Sequence, residues 1–598
     1  MASFLRSRSP GPAVLLSMDA LSLGCVPGAR YSCAVGKIAQ CACMVKSSPS
    51  RTGPRTDSPG ADTSYGLSQY GPLVRTFRRL RVSAADTAAA PAGAPAAAPM
   101  DHRHVLRVLS GLLIVLFVAM ISSTVVSVAL PQIIGSLDGT QSQYTWVVTA
   151  TLLASTASTP IWGKLADLFS KKLLLQISIG IFVVSSVACG FAQSTEQLIA
   201  FRAVQGLGMG ALQVLVQVII AAMISPKERG RYNGYLGGVM AVATVGGPLL
   251  GGFITDASWL GWRWCFFIAV PFTLLASVML ARTLHLVEVR RPDTKVDYLG
   301  ASLIAAGVSL LLLWVTFVGG DFDWISWQSG LMVGGSVVIL GAAVLVEGRV
   351  KEPVVPLHVV RRRDPALAIV ASLAVGMAMF GGAVFLGQYF QIGRGYSPTE
   401  AGLLTIPLMA GVLVSSTVAG RLVSRTGKVK PFIVAGVVVL ALGFLGLSFI
   451  DHETSLVMVS LGMLGVGVGV GMSMQNLVLV LQNTVPLSEI GAASGAITFF
   501  RSLGGTMGVS VLGAVLAHQV STKITDGLAK LGIDPAASGA GGSTLNVAAM
   551  PPQVQDVVRA AYGDATGHIF LISAGIAVIG VIASLFLTPT ELRDSVDL

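Results

Sequence analysis

The feature that most constrains this chain is a recurrence of apolar runs, most of about 19–25 residues, from Val105 onward, the length a helix needs to cross a hydrocarbon core. Fourteen such runs can be drawn: 106–130, 144–166, 173–193, 197–224, 232–255, 264–284, 297–318, 329–347, 366–390, 400–423, 431–450, 455–482, 490–517 and 568–587. In a bilayer every peptide group must bond within the protein, so runs of this length predict helices. The expected fold class is an all-α polytopic membrane protein. Composition agrees: 53% of residues are hydrophobic and only 12% are charged, against near a quarter charged in a soluble protein.

The net charge of +11 is less telling than it looks. Residues 1–100 carry 11 Lys/Arg against 4 Asp/Glu, so much of the basic excess lies ahead of the apolar body and does not argue for nucleic-acid binding. That segment is rich in Arg, Ser, Pro and Ala and holds four of the six cysteines. It reads as a disordered tail, with Met100 a candidate true start. Cys41-Ala-Cys43 lacks metal-site spacing, and Cys189 and Cys265 fall in spans as small core residues.

Orientation follows from the loops. Connections after even-numbered spans carry 19 Lys/Arg, including Lys164, Lys171, Lys172, Lys227, Arg229 and Arg231; those after odd-numbered spans carry five. The positive-inside rule then places the even connections and both termini in the cytoplasm. Residues 518–566 form a long external loop in this reading, with an amphipathic helix at Pro551–Arg559.

The body is duplicated. Gly163-Lys-Leu-Ala-Asp167 ends span 2 and Gly420-Arg-Leu-Val-Ser424 ends span 10. Pro226–Gly230 lies between spans 4 and 5, Pro486–Gly491 between spans 12 and 13, and each is followed four residues on by a glycine, Gly234 or Gly495. Spans 1–6 thus match spans 9–14, and spans 7 and 8 form an inserted pair. The domains are 1–100, a tail; 101–285, the N-terminal six-helix half; 286–350, the inserted pair; 351–590, the C-terminal half; and 591–598, a short tail. Two half-molecules around a shared site is an alternating-access architecture.

Gly163-Lys-Leu-Ala-Asp-Leu-Phe-Ser-Lys-Lys172 resembles the loop signature of the major facilitator superfamily. Leu198-Ile-Ala-Phe-Arg202-Ala-Val-Gln-Gly206 resembles its fourth-helix motif, and Gly247-Pro248-Leu-Leu-Gly251-Gly252 its fifth-helix antiporter motif. With Trp262-Arg-Trp264 and Tyr396–Gly402, the set is similar to the fourteen-span drug:proton antiporter branch, over about residues 105–590. The resemblance implies a conformational latch at Gly163, Asp167, Lys171 and Lys172, a proton-coupling role for Arg202, and export for the Gly247, Pro248, Gly251, Gly252 segment. A solvated turn and a snorkelling arginine are the plainer alternatives for the first two. The second copy has Ser424 where the first has Asp167, so the latch is expected to be one-sided. Small-xxx-small spacings such as Gly206/Gly210, Gly467/Gly471 and Gly504/Gly508 read as helix contacts. Gly206-Leu-Gly-Met-Gly210 follows no strand and is not a dinucleotide site, and no Walker lysine motif supports ATP drive.

Span 1 departs from the family. Relatives carry an acid and an asparagine where this chain has Ser122 and Ser127, and no carboxylate lies deep in any predicted span; Asp256, Glu347 and Glu400 sit only at span ends. A hydroxyl holds no titrating charge near neutral pH, which weakens the case for cationic substrates. Polar residues in spans 1, 4 and 12 are the cavity candidates: Ser122, Ser123, Gln205, Gln213, Gln217, Gln475 and Asn476. Each is equally a candidate interhelical hydrogen bond. Arg202 and Arg501 are charges inside the membrane, which cost a few kcal/mol or more and default to function. The expectation is a monomeric, non-enzymatic bacterial plasma-membrane exporter of small amphipathic molecules. It uses no cofactor and no metal, is driven by the proton gradient, and binds no nucleic acid. A dedicated exporter of one endogenous compound is the nearest alternative; an importer or a non-transporting scaffold stands further off.

Overall fold

A computed structural model describes residues 102–137, 141–257, 259–286, 297–319, 322–350, 352–533 and 551–593. The expected tail and its cysteines lie outside the described residues. All fourteen predicted spans are helical. The N-terminal half contains α1 (His102–Ser136), α2 (Gln141–Leu168), α3 (Lys171–Gly190), α4 (Thr195–Met223), α5 (Pro226–Asp256), and a broken sixth span, α6 (Trp264–Phe267) and α7 (Ala269–Thr283). The inserted pair is α8 (Tyr298–Phe317) and α9 (Trp327–Glu347). After the short α10 (Leu357–Val360) come α11 (Arg363–Gln388), α12 (Pro398–Leu404), α13 (Ile406–Thr426), α14 (Lys430–Leu447), α15 (Leu456–Thr484), α16 (Ile490–Lys530) and α17 (Pro552–Leu585). Thirteen helical segments are long and apolar enough to cross a membrane. The span below that threshold is α2, a 28-residue helix that carries Thr and Ser along its length and runs between α4 and α16, shielded by protein.

Local chemistry explains the ends. Ser170, Ser194, Ser326 and Ser455 cap α3, α4, α9 and α15 by accepting a backbone N–H three residues on. Ser397 and Glu400 form a reciprocal capping box that starts α12. Gly427 closes α13 with φ +69, a conformation that favours glycine.

The two halves pack alike. α2 on α4, α3 on α4, α1 on α5 and α1 on α7 are matched by α13 on α15, α14 on α15, α11 on α16 and α11 on α17. Glycines set this packing to the same register in both halves. On α4, Gly206 and Gly210 lie against the backbone of α2, at Thr151 and Ser155, while Gly208 lies against Phe182 of α3. On α15, Gly467 and Gly471 lie against α13, at Leu408 and Val412, while Gly469 lies against Leu440 of α14. A side chain at any of these would push two helices apart, and close backbone approach is what associates helices in lipid.

The inserted helices sit outside this pair of bundles. Ala301, Ile304, Val308 and Leu312 of α8 pack with Ala157 of α2 and Phe499 and Leu503 of α16, so α8 covers the line where the two halves meet. α9 packs on α8 and turns Val337, Val338, Val344 and Leu345 outward. Lys164 of α2 pairs with Glu352 at 2.6 Å, and Glu347 accepts the N–H groups of Val354 and Val355, fixing the chain as it leaves the pair.

One expectation changes. The segment read as an external loop with a separate surface helix is mostly continuous helix: α16 runs on to Lys530, and Pro552–Arg559 is the first stretch of α17. Val520, Ile524 and Leu528 of α16 pack against Val554, Val558 and Ala561 of α17, and Lys523 pairs with Asp564 at 3.0 Å. The apolar stripe that looked amphipathic is buried by its neighbour, so the two helices project together beyond the span length. Residues 534–550 lie outside the described residues.

Candidate transport pathway and its seams

The halves meet along two antiparallel helix pairs, α2 with α16 and α5 with α13. Both pairs come into close backbone contact at the end of the molecule that carries the basic turns, here called the basic face. In the first seam a Cβ on Gly163 would lie 2.5 Å from the Gly491 carbonyl and 2.9 Å from the Gly495 Cα. Asp167, one turn on, accepts two hydrogen bonds of 2.7 Å, from Gly491 N to Oδ1 and from Ala492 N to Oδ2. These N–H groups belong to the first turn of α16 and have no partner within the helix. A carboxylate there satisfies them and meets the positive end of the helix dipole. Lys164 and Lys171 add positive potential around Asp167. Lys172 follows in the first turn of α3, half-buried.

In the second seam Gly230 of α5 lies 2.5 Å, by a Cβ, from the Gly420 carbonyl and 2.7 Å from Ser424 Oγ. Gly234 and Gly237 lie in the same way on Thr417 and Ser416. Ser424 occupies the place of Asp167 in the repeat, and its buried hydroxyl has no hydrogen-bond partner. The reason lies in the partner helix. α5 begins at Pro226, a turn earlier than α16 in the repeat register, so the N–H groups opposite Ser424 are already consumed by i→i−4 bonds.

A third set of bonds crosses between the halves at this face. Arg229 is buried; its guanidinium donates to the Ala221 carbonyl (2.6 Å), the Ile224 carbonyl (2.8 Å) and Gln482 Oε1 (3.0 Å). Gln482 of α15 in turn donates to Ser494 Oγ on α16 at 2.9 Å. Beyond α17, the chain runs across the basic face. Thr588 N donates to Asp364, Leu592 N to the Gly427 carbonyl, and Arg593 N to Asn483 Oδ1. Asn483 donates to the Glu591 carbonyl at 3.2 Å, and Lys227 N of the other half to the Arg593 carbonyl at 3.3 Å. This strap ties α11, α13 and α15 to α5. Sequence reading treated Arg229 only as a loop charge and passed over Gln482, Asn483 and Ser494. Their partners lie far along the chain, and no spacing marks them.

Within the spans, Arg202 is fully buried and bonded: Nη1 donates to Gln205 Oε1 at 2.7 Å, Nε to the Val147 carbonyl at 3.5 Å, and Gln205 donates to Ser186 Oγ at 2.7 Å. Thr151 donates to the Arg202 carbonyl at 3.2 Å. Arg202 and Gln205 therefore join α2, α3 and α4, and Gln205 is committed to that node instead of lining a cavity. Gly247 lies against Thr124 of α1, whose hydroxyl donates to the Ile121 carbonyl (3.0 Å) and the Ala243 carbonyl (3.3 Å). Among the described residues, no heavy atom outside its own stretch of helix lies within 4 Å of where a Cβ on Gly252 would be. Gly251 and Pro248 are both helical positions in α5, and the ring of Pro248 and the side chain of Asp256 are outside the described residues.

The remaining cavity candidates separate into bonded and unbonded groups. Asn476 donates to the Met472 carbonyl at 2.7 Å but leaves Oδ1 buried without a partner. Gln217 Oε1 and Ser122 Oγ are also buried and unpartnered. Ser123, Gln213 and Gln475 are half-buried. Two buried groups with open bonding capacity join these from α16, Thr498 Oγ1 and Arg501 Nη1. Glu347 and Glu400 both lie at helix ends and satisfy backbone N–H groups. Among the described residues no cluster of side chains could hold a metal ion.

The sequence matches the family model for the Major Facilitator Superfamily over residues 112–509. It is 35% identical over 490 residues to the uncharacterized MFS-type transporter Rv1877 of Mycobacterium tuberculosis, covering 81% of this chain and 70% of that one. It is 32% identical to the multidrug transporter protein MdtP of Bacillus subtilis over 70% of this chain and 77% of that one. It is 31% identical to the efflux pump dotC of Dothistroma septosporum over 81% and 83%. Among solved structures, the proton:xylose symporter XylE aligns with a TM-score of 0.55 at 15% identity, over 82% of this chain and 97% of that one. A bacterial homologue of the human lysosomal transporter Spinster aligns with a TM-score of 0.51 at 14% identity, over 81% and 97%. At these identities the structures speak for the fold alone. The matched duplication, the two seams and the family match converge: this chain is a membrane transporter, not an enzyme, and it belongs to the Major Facilitator Superfamily.

Proposed function

We propose that the protein exports small amphipathic molecules across the plasma membrane in exchange for protons, with the basic face in the cytoplasm. The observation that carries this reading is the pair of glycine seams at the basic face, one clasped by Asp167. A transporter with this end closed holds its site away from the cytoplasm, and an exporter must reopen it to load. The names of the relatives, multidrug transporter and efflux pump, support export as the direction.

Asp167 is the candidate acid for coupling. Protonation would remove its charge and weaken its two hydrogen bonds to the start of α16, so a proton taken up there favours opening and its loss favours closing. Arg202, which has no carboxylate partner among the described residues, acts in this reading by holding α2 against α3 and α4 while the seam moves. Two measurements test the proposal. Cells overproducing the protein should accumulate less of a transported dye than control cells, and an uncoupler should abolish the difference. Efflux into everted vesicles that survives collapse of the pH gradient would remove the antiport assignment. Arg202→Ala should lose efflux at normal expression, and full activity in that variant would remove Arg202 from the working parts.

A further inference from the structure

Four basic side chains are buried among the described residues, and three are satisfied. Arg202 bonds to Gln205 and the Val147 carbonyl, Arg229 to two carbonyls and Gln482, and Lys164 to Glu352. Arg501 is the exception. It is 6% exposed, its Nη1 has no hydrogen-bond partner, and no acidic side chain pairs with it. It lies eleven residues beyond Ile490, the start of α16. At 1.5 Å per residue that is roughly 17 Å, near the middle of a hydrocarbon core about 30 Å thick. A guanidinium cannot shed its proton at any physiological pH, so burial does not neutralise it.

The surroundings match a binding site better than a structural knot. Ser494, Thr498 and Arg501 follow one another at four- and three-residue spacing on one stripe of α16, all buried. Ser494 is bonded to Gln482, but Thr498 Oγ1 is open. α16 packs against α15, where Asn476 leaves an open amide oxygen, and against α4 of the other half, where Gln217 leaves another. α4 packs in turn against α1, which carries the open Ser122 hydroxyl. Five open polar groups thus lie on four helices drawn from both halves, and buried polar groups are normally partnered. The charge among them is positive.

We infer that Arg501 is the counter-charge for an anionic group on the cargo, so that the transported molecules are small amphipathic organic acids, with Thr498, Asn476, Gln217 and Ser122 meeting their polar substituents. The inference rests on the exporter reading and narrows it. None of the five open groups is a carboxylate, so they offer a counter-charge for anions and none for cations.

A matched set of probes with one fluorophore separates the possibilities: dansylglycine carries a carboxylate, dansylamide is neutral and dansylcadaverine is a cation. In everted vesicles containing the full-length protein, dansylglycine should accumulate at least ten times faster than dansylcadaverine. Arg501→Gln should remove that preference, and Arg501→Lys should retain part of it. Purified Arg501→Gln without ligand should melt no lower than the wild type, because an unpartnered buried charge is lost. Dansylglycine should raise the melting temperature of the wild type and not of the variant. Preferred accumulation of dansylcadaverine or dansylamide keeps the exporter and overturns the anion site. Unchanged dansylglycine transport by Arg501→Gln, or a clear drop in its melting temperature, also overturns it. Accumulation of none of the three overturns both readings.

Discussion

At one seam of the basic face a carboxylate closes on two peptide N–H groups; at the other, in the same place in the repeat, a serine hydroxyl closes on nothing. Both seams rest on glycines that let backbones touch, so shape is shared and polarity is not. The difference is not simply that one residue is an acid. α16 begins at Ile490 and still has free N–H groups opposite Asp167, whereas α5 has begun a turn earlier, at Pro226. There the Lys227 N–H is met by the Arg593 carbonyl of the strap. One seam is closed by a side chain that can gain or lose a proton and the other by main chain that cannot. A duplicated fold can therefore carry a single switch without losing its symmetry of shape.

The largest effect should come from removing the shared property. Gly163→Val or Gly420→Val places a branched side chain against backbone across a seam, and overpacking of that kind costs about 3 kcal/mol. Either variant should abolish efflux and expose the seam, read as maleimide labelling of a cysteine introduced at the buried Ala493 (A493C). Equal labelling with and without the valine would break the comparison at its base. Asp167→Ala comes next. It strips two charge-assisted bonds from α16, about 2 kcal/mol towards the open basic face, and should raise labelling with less loss of protein than the valine variants.

Ser424→Asp sharpens the comparison further. If the helix start decides, an acid at 424 finds no free N–H and costs about 1 kcal/mol for a poorly partnered polar group. It should then fail to rescue Asp167→Ser in the double variant; rescue of efflux would show that the acid alone matters. Asn483→Ala should have the smallest effect. It removes two bonds of the strap, worth about 0.5–1 kcal/mol, and should loosen the second seam while leaving the Asp167 seam as it was.

The same asymmetry extends to the charges in the spans. The register set by Gly206 with Gly467 puts Met463 in the place of Arg202, and that set by Gly230 with Gly491 puts Met240 in the place of Arg501. Within the predicted spans each half therefore has one buried arginine among the described residues, at unrelated positions and in unlike surroundings. Arg202 is held within its own half, while the open groups nearest in kind to Arg501 are spread over both. A residue's position in the repeat tells where it sits and leaves open what it meets.

Much of this was legible in the residues alone. Run length and spacing gave the spans, because lipid allows few other backbones. The glycine pairs marked helix contacts, and the exchange of Asp167 for Ser424 foretold unequal seams. The continuous helices at Lys530 and Pro552 were missed because a stripe buried by a neighbouring helix looks, in one segment, like an amphipathic surface. Gln205 stood open between a cavity group and an interhelical hydrogen bond because its partner, Ser186, is on another helix.

The sequence by itself determined the class of fold, the duplication and the inventory of charges, since these depend on hydrophobicity and spacing along one chain. Only the tertiary structure decided which charges have partners. Arg202 and Arg501 look alike in sequence, each a lone cation in an apolar run. Whether a guanidinium is satisfied depends on carbonyls and amides brought within about 3 Å by packing between helices. That packing leaves one of them bonded and the other open.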